Sequence, residues 1–254
     1  MLSLISYQSN KINVFFGDIQ KINQRSDYSF LNDQEKSRAD SFLKSEDKEL
    51  FVCCRANLKK ILSDLLSIPL ERIRVKEGVN GKPYLEGSNI FFNVSHTEGK
   101  FAIAITNLGS VGIDIELKNR SFDYQKLSHL IFSHNEKVLF ETIESTRKNE
   151  AFLNCWTRKE AIFKAIGSGL SSPLHQLELT FIPDSEPELL KTGWDEKDKD
   201  NWMLRSIDYI ENLICTVAAR TGNKHTELVC FELDELTYTF KTLNKQNEIH
   251  HNCI

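Results

Sequence analysis

The chain has 254 residues, 40% of them hydrophobic and 27% charged, and its 36 acidic against 32 basic side chains leave a formal charge of −4. With 16 Phe but only 11 Gly and 5 Pro, it is neither disordered, collagen-like nor a low-complexity linker, and its length suits one large domain or two of about 125 residues. A pI near 6.0 gives no global attraction to nucleic acid, so a polyanionic ligand must be held by a local cluster of cations.

No apolar run approaches the roughly 18 residues of a membrane span, and the first ten residues lack the basic start and apolar stretch of a secretory signal. A cytoplasmic protein is expected. The six cysteines show no C-x-x-C pair and read as reduced thiols filling the core.

In chain order, residues 12–16 form an expected first strand, and Asp33 is the expected N-cap of a helix running to Phe42. Leu50, Cys54, Leu58, Ile61 and Leu65 recur at steps of three and four, so they share one face of a second helix. Pro69 ends it. Ile73 and Val75 alternate with Arg72, Arg74 and Lys76 as in a half-buried strand, and Asn80-Gly81 supplies a turn. Strand patterns at 89–94, 100–106 and 111–116 are separated by Glu98-Gly99 and 107–110, links short enough for antiparallel hairpins. Helical patterns cover 124–144 and 150–166, the latter capped by Gly167. Strands are expected again at 177–182, 201–210, 213–220 and 227–240, with a long exposed loop at 184–200 and a polar tail from 241. Helices, strands, helices, strands with hairpin-length links describe an α+β fold.

Four groups of residues can carry chemistry. On a strand, Ile113 and Ile115 enter the core while Asp114 and Glu116 project together from the other face. Two such carboxylates are either solvated at an exposed edge or gathered by a hard cation such as Mg²⁺. Trp156, Glu160 and Lys164 form one row on a helix, with Glu160 N-terminal to Lys164 in the favourable ion-pair order; a surface salt bridge explains that spacing equally well. Ser95 and His96 end an apolar strand at a rim where side chains reach ligands. Lys82 sits in a rigid turn before Pro83. G-x-G-x-x-G, Walker, H-E-x-x-H and G-x-S-x-G motifs are absent.

The stretches GKPYL (81–85), FNVSH (92–96), VGIDIE (111–116), FSHNE (132–136) and WTRKEAIFKAIGSGL (156–170) together resemble the 4′-phosphopantetheinyl transferase family, of the larger surfactin-synthetase-activating (Sfp-like) type. The resemblance implies a pseudo-twofold pair of similar α+β halves, with an active site in the cleft between them. The halves would span 1–110 and 111–245, followed by a polar tail at 246–254. It implies transfer of the 4′-phosphopantetheine arm of coenzyme A to a serine of an apo acyl or peptidyl carrier protein, releasing adenosine 3′,5′-bisphosphate, by a monomer without nucleic-acid or membrane partners. A non-catalytic carrier-protein or coenzyme A-binding module of the same fold is the alternative.

Carried over by residue, the resemblance implies Asp114, Glu116 and Glu160 as Mg²⁺ ligands. Glu160, Lys164 and His96 would be catalytic, with Glu160 the candidate to take the serine proton, directly or through metal-bound water. Lys82, Ser95, His96, Lys159 and Lys164 would contact coenzyme A phosphates, and Glu136 matches an acidic position with a supporting role. Toward the amino terminus the match frays: Arg38, and Arg55 in place of an absent arginine, are the expected 3′-phosphate contacts. Lys118 and Arg120 are candidates for meeting an acidic helix of the carrier.

Overall fold

A computed structural model describes residues 10–19, 28–169, 173–208, 210–222, 225–234 and 239–243, apart from the side chain of Gln125. The expected tail at 246–254 lies outside them. The first half opens with strand β1 (Ile12–Asp18), whose first five residues are all buried. Helix α1 (Asp33–Asp40) begins with a capping box: Asn32, not Asp33, is the N-cap, and Glu35 answers it. Helix α2 (Ser45–Leu66) ends at Ser67 in the left-handed conformation, two residues before Pro69. Strands β2 (Val75–Glu77) and β3 (Pro83–Leu85) form a small hairpin, and β4 (Phe91–Thr97) and β5 (Lys100–Thr106) a larger one. The latter turns at Glu98 (φ 36°) and Gly99 (φ 83°), the two-residue turn that matches strand twist.

The second half repeats the order. Strand β6 (Val111–Leu117) is followed by α3 (Tyr124–Ile131) and α4 (His134–Glu141), then α5 (Lys148–Ile166). The single helix expected over 124–144 breaks because Ser133 starts a second capping box, closed by Glu136. Gly167 caps α5 at φ 77°. Next come the small hairpin β7 (Glu178–Leu179) and β8 (Leu189–Lys191), and the larger one β9 (Trp202–Ile207) and β10 (Leu213–Arg220). The stretch 184–200 is therefore no long exposed loop. It holds β8 and part of a 3-10 turn (Glu196–Asn201) built around buried Asp198.

Two sheets result, ordered β4-β5-β1 in the first half and β9-β10-β6 in the second, with equivalent antiparallel pairings. Strands β11 (Leu228–Asp234) and β12 (Thr239–Leu243) divide the run expected at 227–240. They join the first sheet, β11 running parallel to β1, so this part of the expected second half belongs structurally to the first. The hairpin expected between β5 and β6 does not form, because the chain crosses from one sheet to the other there.

The sheets face each other across a core containing Val14, Phe16, Ile113, Ile115, Met203 and Val217. Helix α2 covers the outer face of the first through Leu58, Leu62, Phe101 and Ile103. Helix α5 covers that of the second through Phe152, Ile162, Leu204 and Ala218. Every residue of β6 is buried. An outer face covered by a helix is what turns its alternating carboxylates from a solvated edge into an interior pair.

Candidate active site

The halves meet where β4 lies alongside β6. No backbone ladder joins these strands; side chains of β4 do so instead. Asn93 Oδ1 accepts from the Ile113 N–H at 2.9 Å, and Ser95 Oγ from the Ile115 N–H at 3.2 Å. Thr97 Oγ1 donates to Glu116 Oε2 at 3.3 Å. Residues 93, 95 and 97 share a strand face by their spacing of two, so one row of short polar side chains satisfies an otherwise open strand edge. Behind β6, Gly112 lets α5 approach: a Cβ there would lie 2.0 Å from the Ala161 carbonyl oxygen and 2.5 Å from the Ala165 nitrogen. Thr157 and Thr216 hydroxyls meet at 3.1 Å and tie α5 to β10.

This packing brings Ser95, His96, Asp114, Glu116, Trp156, Glu160 and Lys164 to one cavity of about 790 Å³, walled on its other side by Leu127, Leu130 and Leu174. Asp114 Oδ1 accepts from Lys164 Nζ at 2.5 Å and from Ser95 Oγ at 3.1 Å. Its Oδ2 is buried without a hydrogen-bond partner. Glu116 Oε2 accepts from Arg120 Nη1 at 2.6 Å. Burial pushes the Glu116 carboxyl above its ordinary range; the Arg120 hydrogen bond opposes this and the Asp114 charge adds to it. Burial and then Asp114 likewise push Glu160 up, against the pull of Lys164. Burial and the Lys164 charge push His96 down, toward the neutral imidazole.

Among the described residues, no three His, Cys, Asp or Glu side chains converge closely enough to enclose a metal ion. Lys164 and Arg120 instead neutralise Asp114 and Glu116. The donor set nevertheless suits a hard divalent cation: three mutually repelling carboxylates line one cavity, and one offers a buried oxygen with no other partner. Mg²⁺ takes few protein oxygens and keeps water or phosphate in its other positions.

A second cavity of about 350 Å³ adjoins the first through Val94 and His96, which line both. Arg38 and Arg55 lie in it, their guanidinium carbons 5.2 and 5.5 Å from the centre of the Phe51 ring. Arg38 pairs with Glu77, and Arg55 reaches Glu35 at 3.6 Å and Glu77 at 4.0 Å. The sequence reading assigned no role to Glu77, Asn93 or Thr97. The acceptor row of β4 is legible as spacing, but not the strand it faces.

One expected phosphate contact is placed away from the cleft, whereas Lys82 lines a cavity of about 190 Å³ together with Glu160 and Lys164. Lys159 does not reach the cleft. It is 0% exposed and donates to Glu136 and to the carbonyls of Ile131 (2.7 Å) and Leu177 (2.8 Å), which engage all three of its protons. Glu136 is buried beside it, away from the carboxylate cluster, and accepts from the Ser133 and Leu179 N–H groups. Lys82 donates to the carbonyls of Val111 (3.1 Å) and Ala165 (2.6 Å), capping the end of α5, and its burial brings its pKa down to about 8. Asn80 donates to the Gly167 carbonyl at 2.9 Å beside it.

Two family models match the chain in succession. Residues 22–108 match a model described as 4′-phosphopantetheinyl transferase, N-terminal, and residues 110–218 one described as 4′-phosphopantetheinyl transferase superfamily. The boundary between them coincides with the crossing from β5 to β6. The chain is 29% identical over 181 residues to a putative 4′-phosphopantetheinyl transferase of Synechocystis sp., covering 70% of this chain and 72% of that protein. It is 28% identical over 192 residues to the 4′-phosphopantetheinyl transferase HetI of Nostoc sp., covering 74% and 78%. Among solved structures, the holo-[acyl-carrier-protein] synthase of Thermotoga maritima aligns at 23% identity with a TM-score of 0.34, over 46% of this chain and 64% of that one. On the two successive family matches, which together span residues 22–108 and 110–218, the chain belongs to the 4′-phosphopantetheinyl transferase superfamily.

Proposed function

We propose that this transferase moves the 4′-phosphopantetheine arm of coenzyme A to a serine of an apo acyl or peptidyl carrier protein, with Mg²⁺ held by Asp114, Glu116 and Glu160. The observation that carries the reading is the unpartnered, buried Oδ2 of Asp114 in a cavity shared with two further carboxylates and a facing lysine. When bound, Mg²⁺ supplies charge neutralisation for the coenzyme A diphosphate.

The serine oxygen forms a bond to the β-phosphorus, and the bond from that phosphorus to the bridging oxygen breaks. Adenosine 3′,5′-bisphosphate leaves with the electron pair. Glu160, whose burial raises its proton affinity, takes the serine proton. Lys164 and a neutral His96 donate hydrogen bonds to the phosphate oxygens on which charge develops. Because His96 lines both cavities, a single ligand can run from this centre to Arg38 and Arg55, which receive its 3′-phosphate. The hydroxyl of Ser95, held between Asp114 and Lys164, orients both. Lys82 fixes the end of α5 and presents its turn to the ligand. Lys118 meets the acidic helix of the carrier, while Arg120 serves Glu116. A monomer acting in the cytoplasm is the expected setting; no described helix is long and apolar enough to cross a membrane.

The test mixes the protein with coenzyme A, Mg²⁺ and several apo carrier proteins and measures intact carrier masses. The expected result is a gain of one arm per carrier, with Asp114→Ala and Glu160→Ala each slowing it by about 10²-fold or more while far-ultraviolet circular dichroism is unchanged. A folded protein that binds coenzyme A yet leaves every carrier unmodified would be a binding module instead.

A further inference from the structure

One buried device occurs in both halves. In the second half, Lys159 of α5 donates to the Ile131 carbonyl and to Glu136, the residue that closes the capping box of α4. In the first half, Lys59 of α2 donates to the Phe30 carbonyl at 2.6 Å and to Glu35 at 3.2 Å, and Glu35 closes the capping box of α1. Lysine, carbonyl, cap and glutamate correspond one to one, on helices that both end in a left-handed residue.

The two copies differ at the second carboxylate oxygen, and Lys159 has a further acceptor in the Leu177 carbonyl. Glu136 Oε1 is satisfied by the Leu179 N–H at 3.0 Å. Glu35 Oε1 is buried with no hydrogen-bond partner, and Arg55 Nη1 stands 3.6 Å from it. Arg55 lies one turn before Lys59 on α2 and borders the smaller cavity. Glu35 is thus a buried carboxylate between two cations: Lys59, which it shares with the Phe30 carbonyl, and Arg55, which it shares with Glu77 and the cavity.

We propose that Lys59 is a positioning residue for the anionic end of the substrate: it neutralises Glu35 so that Arg55 stays available to a phosphate monoester in the Phe51 cavity. Without Lys59, the buried carboxylate has Arg55 as its remaining cation, and pairing with it competes directly with phosphate. The inference rests on the reading that coenzyme A occupies this cavity.

Calorimetric titration of the full chain with coenzyme A and with dephospho-coenzyme A tests it, alongside thermal melts. For Lys59→Met the expected loss of coenzyme A affinity is about tenfold or more, with a smaller loss for dephospho-coenzyme A, and with kcat nearly unchanged. Lys59→Arg restores most of the loss. The double variant Lys59→Met, Glu35→Gln, which removes the competing charge, recovers affinity to within about threefold of wild type, even though its melting temperature stays low. Lys159→Met serves as the internal control: the same device in the other half should lower kcat and leave coenzyme A affinity nearly intact. A folded Lys59→Met protein that binds coenzyme A as wild type does, or a double variant that recovers nothing, overturns the role of Lys59. Wild-type protein that binds no coenzyme A overturns the functional reading itself, and the proposal with it.

Discussion

Two buried aspartates show how differently one side chain can be used. Asp198 accepts from Trp194 Nε1 (2.8 Å), Trp202 Nε1 (3.1 Å), Asn201 Nδ2 (3.1 Å) and the Arg220 guanidinium (2.6 and 2.9 Å). Burial alone would raise its pKa, but these donors outweigh burial and hold the carboxyl well below the usual range. Such a depressed group contributes stability above the unfolded-state value of about 3.9 and loses it as pH falls toward the folded value. Asp198→Asn should therefore cost about 2 kcal/mol in urea unfolding at neutral pH, and the gap to wild type should narrow below about pH 4. A gap that stays constant into acid would contradict the assignment. Asp114, by contrast, keeps one oxygen unspent, as its proposed role as a metal ligand requires. Neither environment is legible in the sequence. Asp198 sits in a polar stretch indistinguishable from a solvated loop, and the donors that capture it include Arg220 at the end of β10.

Among elements, the pairing of β6 with α5 decides the site. Strand alternation showed that Asp114 and Glu116 share a face, and the spacing of four aligned Trp156, Glu160 and Lys164. Those periodicities are local, and local periods survive in a sequence. What they could not show is that the helix row and the strand face meet. That contact depends on Gly112, whose missing Cβ leaves room for the α5 backbone itself. Backbone atoms cannot swing aside, so Gly112→Ala should lower stability by about 2 kcal/mol or more and displace Glu160 from Asp114, reducing turnover with it. An unchanged melting temperature in that variant would show that the helix has slack. Lys159 carries the same lesson. Its place beside Glu160 in the sequence suggested a phosphate contact, but neighbouring helix residues point about a quarter-turn or more apart; Lys159 turns inward to Glu136.

At the scale of the whole molecule, the two halves were implied by the family resemblance rather than by any repeat in the sequence. Their junction was hidden, because β5 and β6 are linked as if by a hairpin but enter different sheets. So was the return of β11 and β12 to the first sheet, a long-range pairing with no local signature. The larger cavity exists only because the halves meet: β4 contributes Ser95 and His96, while β6 and α5 contribute the carboxylates and Lys164. In the proposed mechanism these carboxylates act together on one divalent ion. Titration of Mn²⁺ into the protein with coenzyme A, followed by the loss of the free-ion paramagnetic resonance signal, reads that directly. Wild type should take up a single tight ion, and Asp114→Asn and Glu160→Gln should each weaken it by about tenfold or more. Undiminished binding in both variants would contradict the account.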